Sequence, residues 1–337
     1  MKKTSILMAA ALAGATLLSG VAQAQQMTFF RIGTGSAGGT YFPIGGIIAN
    51  AISSPPGARP CDKGGSCGVP GLVAIAQSTN ASAHNVTATD AGQMEAGLTG
   101  AATLYQAYHG EGKFEGNKKP KLRVIANLFP EDMHLVLPKG GKLGSLKDLK
   151  GKRVGIAQAG SGTQIAVEMI LADNGLTRAD YSPAELNNSQ SAERIADGQL
   201  DAYFYAAGTP VAAMVQLSST KGMELYSFTD AEIAAVGKIL PYYVESSIDK
   251  GTYEGLDYDV KTVAVNGILV TNADQPDDLI YGITKAMWSK TSRTLLDNGH
   301  AKGKVIRLET ALKGIANLRV PLHPGAEKFY KEAGLLK

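Results

Sequence analysis

The chain has 337 residues, 44% of them apolar, with 40 glycines and a formal net charge of +3. So small a charge leaves no electrostatic footprint for nucleic acid. The length is too great for one typical core and points to two lobes.

The opening MKKTSILMAAALAGATLLSGVAQAQQ reads as a secretory signal peptide over residues 1–24. Lys2 and Lys3 precede an apolar stretch at 6–18, and Ala22-Gln23-Ala24 is a small-residue cleavage site. Its removal takes two lysines and no acids, which brings the formal charge from +3 to +1. No later stretch approaches the roughly 18 apolar residues of a membrane span. The expected product is exported to the periplasm, and a monomer is the default for a diffusing protein.

From there the periodicity predicts strands at 29–33 and 72–77, and a helix over 44–52 with Pro43 in its first turn. A helix follows at 84–91. Residues 97–104 read either way. Strands are expected at 122–127 and 133–137, with the acid pair Glu131-Asp132 in a solvated turn between them. The lysine-rich run KGGKLGSLKDLKGKR reads as a solvated connector at a lobe boundary. Beyond it the pattern restarts, with strands at 153–157, 201–206 and 262–270 and helices at 164–173, 191–197, 211–217 and 277–289. Trp288, in the last of these, is expected in the core. Strands alternating with helices mean an α/β fold with a parallel sheet. Ligands of such sheets bind beyond the carboxyl ends of the strands. That singles out four loops, 34–41, 78–82, 160–163 and 207–210, each polar or Gly-rich and each ahead of a helix.

The first loop, GTGSAGGTYFPIGG, holds a G-x-G-x-x-G spacing. A dinucleotide fingerprint also needs an acid about twenty residues on, and SSPPGARP stands there. A phosphate-binding P-loop needs Lys after the last Gly; Thr40 and Tyr41 follow instead. No nucleotide cofactor is expected. Free backbone N–H groups at a helix N-terminus bind anions, glycines let a ligand approach, and Ser36, Thr40 and Tyr41 add two hydroxyls and an aromatic wall. Ser161-Gly162-Thr163 repeats the device. The plainer reading is that these Ser and Thr residues are ordinary helix caps. Cys61 and Cys67 are the two cysteines; in an oxidising compartment they are expected to pair. With no His within fifteen residues, no metal site is expected there. The formal G-x-S-x-G at 64–68 lies in that loop, without the strand and helix of a nucleophile elbow.

The segments FFRIGTGSAGGTYFPIGGIIANAI, CGVPGLVAIAQSTNAS, LKGKRVGIAQAGSGT, DGQLDAYFYAAGTP and VPLHPGAEKFYKEAG, in this order through nearly all of the chain after residue 24, together resemble the TAXI family. TAXI proteins are the solute receptors of one class of TRAP transporter. The resemblance implies a periplasmic-binding-protein-like fold of type II, with two lobes joined by crossing strands and a ligand cleft between them. Lobe 1 would hold residues 25–135 and 262–337, and lobe 2 residues 136–261. It implies a small and a large membrane subunit as partners, transport driven by an ion gradient, and glutamate, glutamine or 2-oxoglutarate as model solutes. The family's site loops match Gly39, Thr40 and Tyr41, Ser78 and Asn80, Ser161, Gly162 and Thr163, and Thr209. Relatives carry TQSD where this chain reads Thr99-Gly100-Ala101-Ala102, so a larger and less polar pocket is expected there. The four loops contain no Arg; a guanidinium clamp for a carboxylate would need Arg31, Arg123 or another residue brought in by the fold.

The rival reading is an exported hydrolase in the same cleft. None of the five histidines stands in a metal-ligand or triad motif, and His134 reads as a structural or hydrogen-bonding residue. An adhesive or structural protein would favour repeats or low complexity, and neither is found.

Overall fold

The computed structural model describes residues 27–337; the expected signal peptide lies outside them. In chain order the strands are β1 (Thr28–Gly33), β2 (Ser53–Ser54), β3 (Val69–Pro70), β4 (Leu72–Gln77), β5 (Ala96–Gly100), β6 (Leu122–Pro138), β7 (Arg153–Gly155), β8 (Ser182–Ala184), β9 (Ala202–Ala207), β10 (Met223–Leu225), β11 (Val244–Ile248) and β12 (Val260–Asn272). The helices are α1 (Tyr41–Ile52), α2 (Ser82–Asp90), α3 (Ala101–His109), α4 (Gly162–Asp173), α5 (Asn188–Ala196), α6 (Ala212–Thr220), α7 (Asp230–Ile239), α8 (Asp277–Met287), α9 (Lys290–Gly299), α10 (Ile315–Leu318) and α11 (Pro324–Glu332).

One ten-stranded sheet in the order β4-β1-β5-β12-β6-β9-β7-β8 carries the molecule, with β10 on β6 and β11 on β12. Its two halves are held together by the two long strands. The C-terminal part of β12 lies between β5 and the N-terminal part of β6. Its N-terminal part pairs with β11, and the C-terminal part of β6 pairs with β9. The register between β6 and β12 shifts at Gly267/Ile268, near the middle.

Two expectations are corrected here. The sheet is mixed, not wholly parallel: β4, β1 and β5 run parallel, as do β8, β7 and β9, but β12 is antiparallel to its neighbours β5, β6 and β11. The segments 122–127 and 133–137 are also one strand of 17 residues. Pro130 does not break it. It faces Asn266 of β12 on one side, while β9 begins its pairing only at Asp132, so the missing N–H is not needed. Glu131 and Asp132 are therefore not in a solvated turn; they are about 5% and 4% exposed. Residues 97–104 divide between β5 and α3, with Gly100 in extended conformation at the junction.

Each half has a core of its own, and a further cluster is shared between them, in which Val86, Leu104 and Val124 pack with Val167, Phe204 and Tyr226. Phe30, Ile32, Ile44 and Ile48 pack with Ile280 and Tyr330 under the β4-β1-β5 half. Val136, Tyr203, Met214 and Val260 pack under the β9 half. Trp288 is partly buried against the first core and donates its indole N–H to Tyr330 at 3.3 Å. In the lysine-rich run the charged side chains are mostly exposed, while Leu146 and Leu149 turn inward. Cys61 and Cys67 form a disulfide, closing a six-residue step in the loop before β3.

Candidate functional site

Strand ends and helix starts bring four helix N-termini to one place. Thr40 and Tyr41 of α1, Ser82 of α2, Thr103 of α3, and Gly162 and Thr163 of α4 all line one cavity between the halves of the sheet. Each N-terminus leaves backbone N–H groups without intrahelical partners and carries roughly half a positive charge. At α1, α2 and α3 no side chain caps these groups. At α4, Ser161 accepts from Gln164 N at 3.1 Å. Ala81 and Ala157, two residues with positive φ, stand beside the cavity at 68° and 65°. Both hold a sparsely populated backbone conformation that the surrounding structure must impose.

The halves touch across the cavity. Thr40 Oγ1 donates to Gly208 O at 2.6 Å. The N–H groups of Ala83 and His84 both reach Gly160 O, at 3.1 and 3.2 Å. Asn188 Nδ2 donates to Gly38 O at 3.0 Å. The structure is thus closed over its cavity.

Of the residues expected from sequence, Ser36, Thr40, Tyr41, Ser161, Gly162 and Thr163 line the cavity. Gly39 lies beside it, where an added Cβ would come within 2.5 Å of the Tyr205 hydroxyl. Ser78 donates to Gly35 O at 2.9 Å and so holds the first loop. Asn80 is exposed. Thr209 donates to Asp132 Oδ2 at 2.5 Å. Gly100 and Ala102 are both part of the wall, so the departure from TQSD falls on the cavity itself. Arg31 is paired with Glu95 at 2.8 Å, and Arg123 donates to the carbonyls of Pro120 and Leu122. Neither reaches the cavity, and among the described residues no Lys or Arg lines it.

Sequence reasoning missed Glu131, Gln158, Tyr205 and Tyr243 in the wall. Glu131 accepts from the Tyr41 hydroxyl at 2.7 Å. Burial raises its carboxyl to about 8; the Tyr41 bond and Lys302 oppose that rise, and Asp132 adds to it. Burial likewise pushes Tyr205 up to about 12 and Tyr41 well above the phenol range, so both stay neutral. Behind Glu131, the Asp132 carboxylate takes Thr209 on one oxygen and Ser246 on the other, at 2.5 and 2.7 Å. Lys302 lies 3.4 Å from it. These partners come from three separate segments. His134 is structural. Its Nδ1 faces the carbonyls of Asp132 and Tyr205 at 2.9 and 3.2 Å, so that nitrogen carries the proton. Nε2 then accepts from Tyr253 at 2.9 Å, and burial holds the ring neutral. With both nitrogens occupied, it is not placed to activate a nucleophile. Among the described residues no cluster of His, Cys, Asp or Glu could hold a metal ion.

A mixed sheet curled into two halves, two long shared strands and an enclosed cavity between them define a periplasmic-binding-protein-like fold. The chain is similar to the binding component of an ABC phosphonate transporter from Pseudomonas aeruginosa, at 11% identity over 81% of this chain and 79% of that one, with a TM-score of 0.51. It also matches PhnD1 of Prochlorococcus marinus in complex with methylphosphonate (12%, 91% and 99%, 0.49). A third match is the alkanesulfonate-binding protein SsuA of Xanthomonas axonopodis pv. citri bound to MOPS (16%, 91% and 84%, 0.45). These likenesses are of fold. The chain belongs to the NMT1-like family, whose model matches residues 32–334.

Proposed function

We propose that this protein is a periplasmic solute receptor. It captures a small anionic or zwitterionic solute by closing two lobes on it, and hands it to a membrane transporter. The observation that carries the reading is the convergence of four helix N-termini on one cavity closed by bonds between the halves. The dipoles, and the first-turn N–H groups of α1, α3 and α4 (those of Ala83 and His84 in α2 go to Gly160 O), favour an anion without any guanidinium. Ser161, Thr163, Thr40 and Tyr41 supply hydroxyls around it. A ligand that touches both halves only when they are together shifts the population toward closure.

The lobes we propose divide near Glu131 in β6 and Val265 in β12, where pairing passes from one set of neighbours to the other. That is close to the 135/136 and 261/262 boundaries expected from sequence. Residues 1–24 would be the leader that exports the chain. For the transporter, the resemblance to TAXI receptors favours the two TRAP membrane subunits. The ABC phosphonate transporter component named above shares the fold and represents the other arrangement.

The test is a thermal-shift screen on protein unfolded and refolded to strip carried-over ligand, with amino acids, dicarboxylates, oxo acids, phosphonates and sulfonates. A binder at a hundred times its Kd adds about 2.7 kcal/mol. A clear upward shift with one class supports the receptor, and small-angle scattering should then show compaction. No shift with any class would defeat it.

A further inference from the structure

Most of the cavity wall consists of helix ends, small residues and hydroxyls; two polar side chains, Glu131 and Gln158, depart from that pattern. Glu131 gives only Oε2 to the protein, to the Tyr41 hydroxyl. No hydrogen bond within the described residues engages its Oε1. Gln158, about 8% exposed, stands in the loop after β7, and its Oε1 is buried without a hydrogen-bond partner. Both residues line the same cavity, Glu131 from the crossing strand and Gln158 from the opposite half. Gln158 offers an acceptor oxygen, Glu131 offers one once its proton has left, and no lysine or arginine of the wall supplies a donor. A buried polar group left without a partner is costly, and a solute that brings N–H donors removes that cost.

We infer that Glu131 and Gln158 form a subsite for an ammonium group of the solute, set apart from the anion site at the helix N-termini. The cavity then selects solutes that carry both charges. This rests on the receptor reading above and adds a residue that sets specificity. Gly100 and Ala102 leave the space beside Glu131 open: a Cβ added at Gly100 would be 3.5 Å from Glu131 Oε2, an ordinary contact.

The subsite predicts proton release. Around Glu131 stand Tyr41 from α1, Tyr205 from β9 and Tyr243, all held above the ordinary phenol range by burial. Asp132 and His134 lie on its own strand, and Lys302 comes from the C-terminal segment. Lys302 is paired with Asp132, and His134 is kept neutral. Glu131 is therefore the group that changes charge near neutrality, with its carboxyl at about 8 in the empty cavity. An ammonium requires the carboxylate, so at pH 7 binding sends the Glu131 proton to the buffer. Affinity for such solutes should rise about tenfold per pH unit below 8 and level off above it.

The experiment is calorimetry on the purified protein with sets that share one carbon skeleton: L-glutamate, 2-oxoglutarate and glutarate; L-leucine, 4-methyl-2-oxopentanoate and 4-methylpentanoate. Each set is titrated at pH 7 in phosphate and in Tris. The expected result is a preference of tenfold or more for the amino acid of one set, with close to one proton released. In Glu131→Gln the proton release disappears and the preference collapses. Equal affinity within the preferred set, or identical enthalpies in the two buffers, would overturn the subsite while leaving the receptor standing; the buffer comparison needs no variant. Binding of oxo acids or dicarboxylates alone would do the same. No binding by either set or by the wider screen would remove the receptor reading itself.

Discussion

Thr40 Oγ1 donates to the carbonyl of Gly208 at 2.6 Å, and both residues are buried. The bond ties the first turn of α1 to the loop after β9, one from each half of the sheet. Thr40→Val keeps the shape but leaves a buried carbonyl unpaired in the closed form, at about 1–3 kcal/mol. Solute affinity should fall about tenfold or more by calorimetry, while the scattering radius of the free protein grows. Wild-type affinity would show that this bond does not hold the cleft shut.

Gly162 begins α4 opposite Thr103 and Ser82. A Cβ there would lie 2.9 Å from Thr103 Oγ1 and 3.0 Å from Ser82 Oγ. Alanine suits a helix better than glycine by up to about 1 kcal/mol. Gly162→Ala should therefore leave the melting temperature of the free protein unchanged or slightly raised and weaken solute binding. Loss of both together would mean that the residue serves folding and not closure.

Asp132 is the acceptor for Thr209, Ser246 and Lys302, and the Lys302 side chain is itself only 15% exposed. Asp132→Ala strands that ammonium, and breaking a buried pair this way costs about 3–5 kcal/mol. Denaturant unfolding should show the loss. Asp132→Asn, which keeps an oxygen for the hydroxyls, should lose less, and equal losses would argue against the hydrogen bonds as the main term.

The pH dependence of stability follows from Glu131. Its carboxyl in the folded protein titrates at about 8 against an ordinary value of 4.5. The folded state therefore holds a proton that the unfolded chain has already released. The stabilisation is fully present below 4.5 and is lost as pH rises toward 8. The melting temperature of the ligand-free protein should fall from pH 5 to 8 more steeply than that of Glu131→Gln. Parallel curves would place the carboxyl in its ordinary range.

Cys61 and Cys67 close a short loop at the periphery of the first half. Chain entropy for so small a loop gives about 2 kcal/mol. The double serine variant should lose about that much stability and bind solute as before. A change in affinity would connect this loop to the cleft.

Local chemistry made part of the site legible. Glycines and hydroxyls placed just ahead of a helix, as at Ser36, Thr40, Ser161 and Thr163, announce a helix N-terminus within a few residues of sequence. Resemblance, more than pattern, supplied the two-lobed arrangement. Glu131 and Asp132 could not be read in this way. Pro130 and two adjacent acids look like a turn, and what buries them is distant: Tyr41 is 90 residues away, Ser246 114 and Lys302 170. Gln158 was equally silent, since a glutamine in a glycine-rich loop carries no local sign that its amide faces a cavity.

The place of β12 bears on how the chain can be assembled during synthesis. This strand, near the C-terminus, is the neighbour of β5, β6 and β11. Until Asn272 has left the ribosome, β5 and β6 have nothing between them, so more than two hundred residues emerge with a gap at the centre of their sheet. Neither half can be completed by the order in which it is made. A growing chain of this topology stays open to helper proteins until its last quarter arrives, and fragments cut before β12 lack the piece that would let them fold.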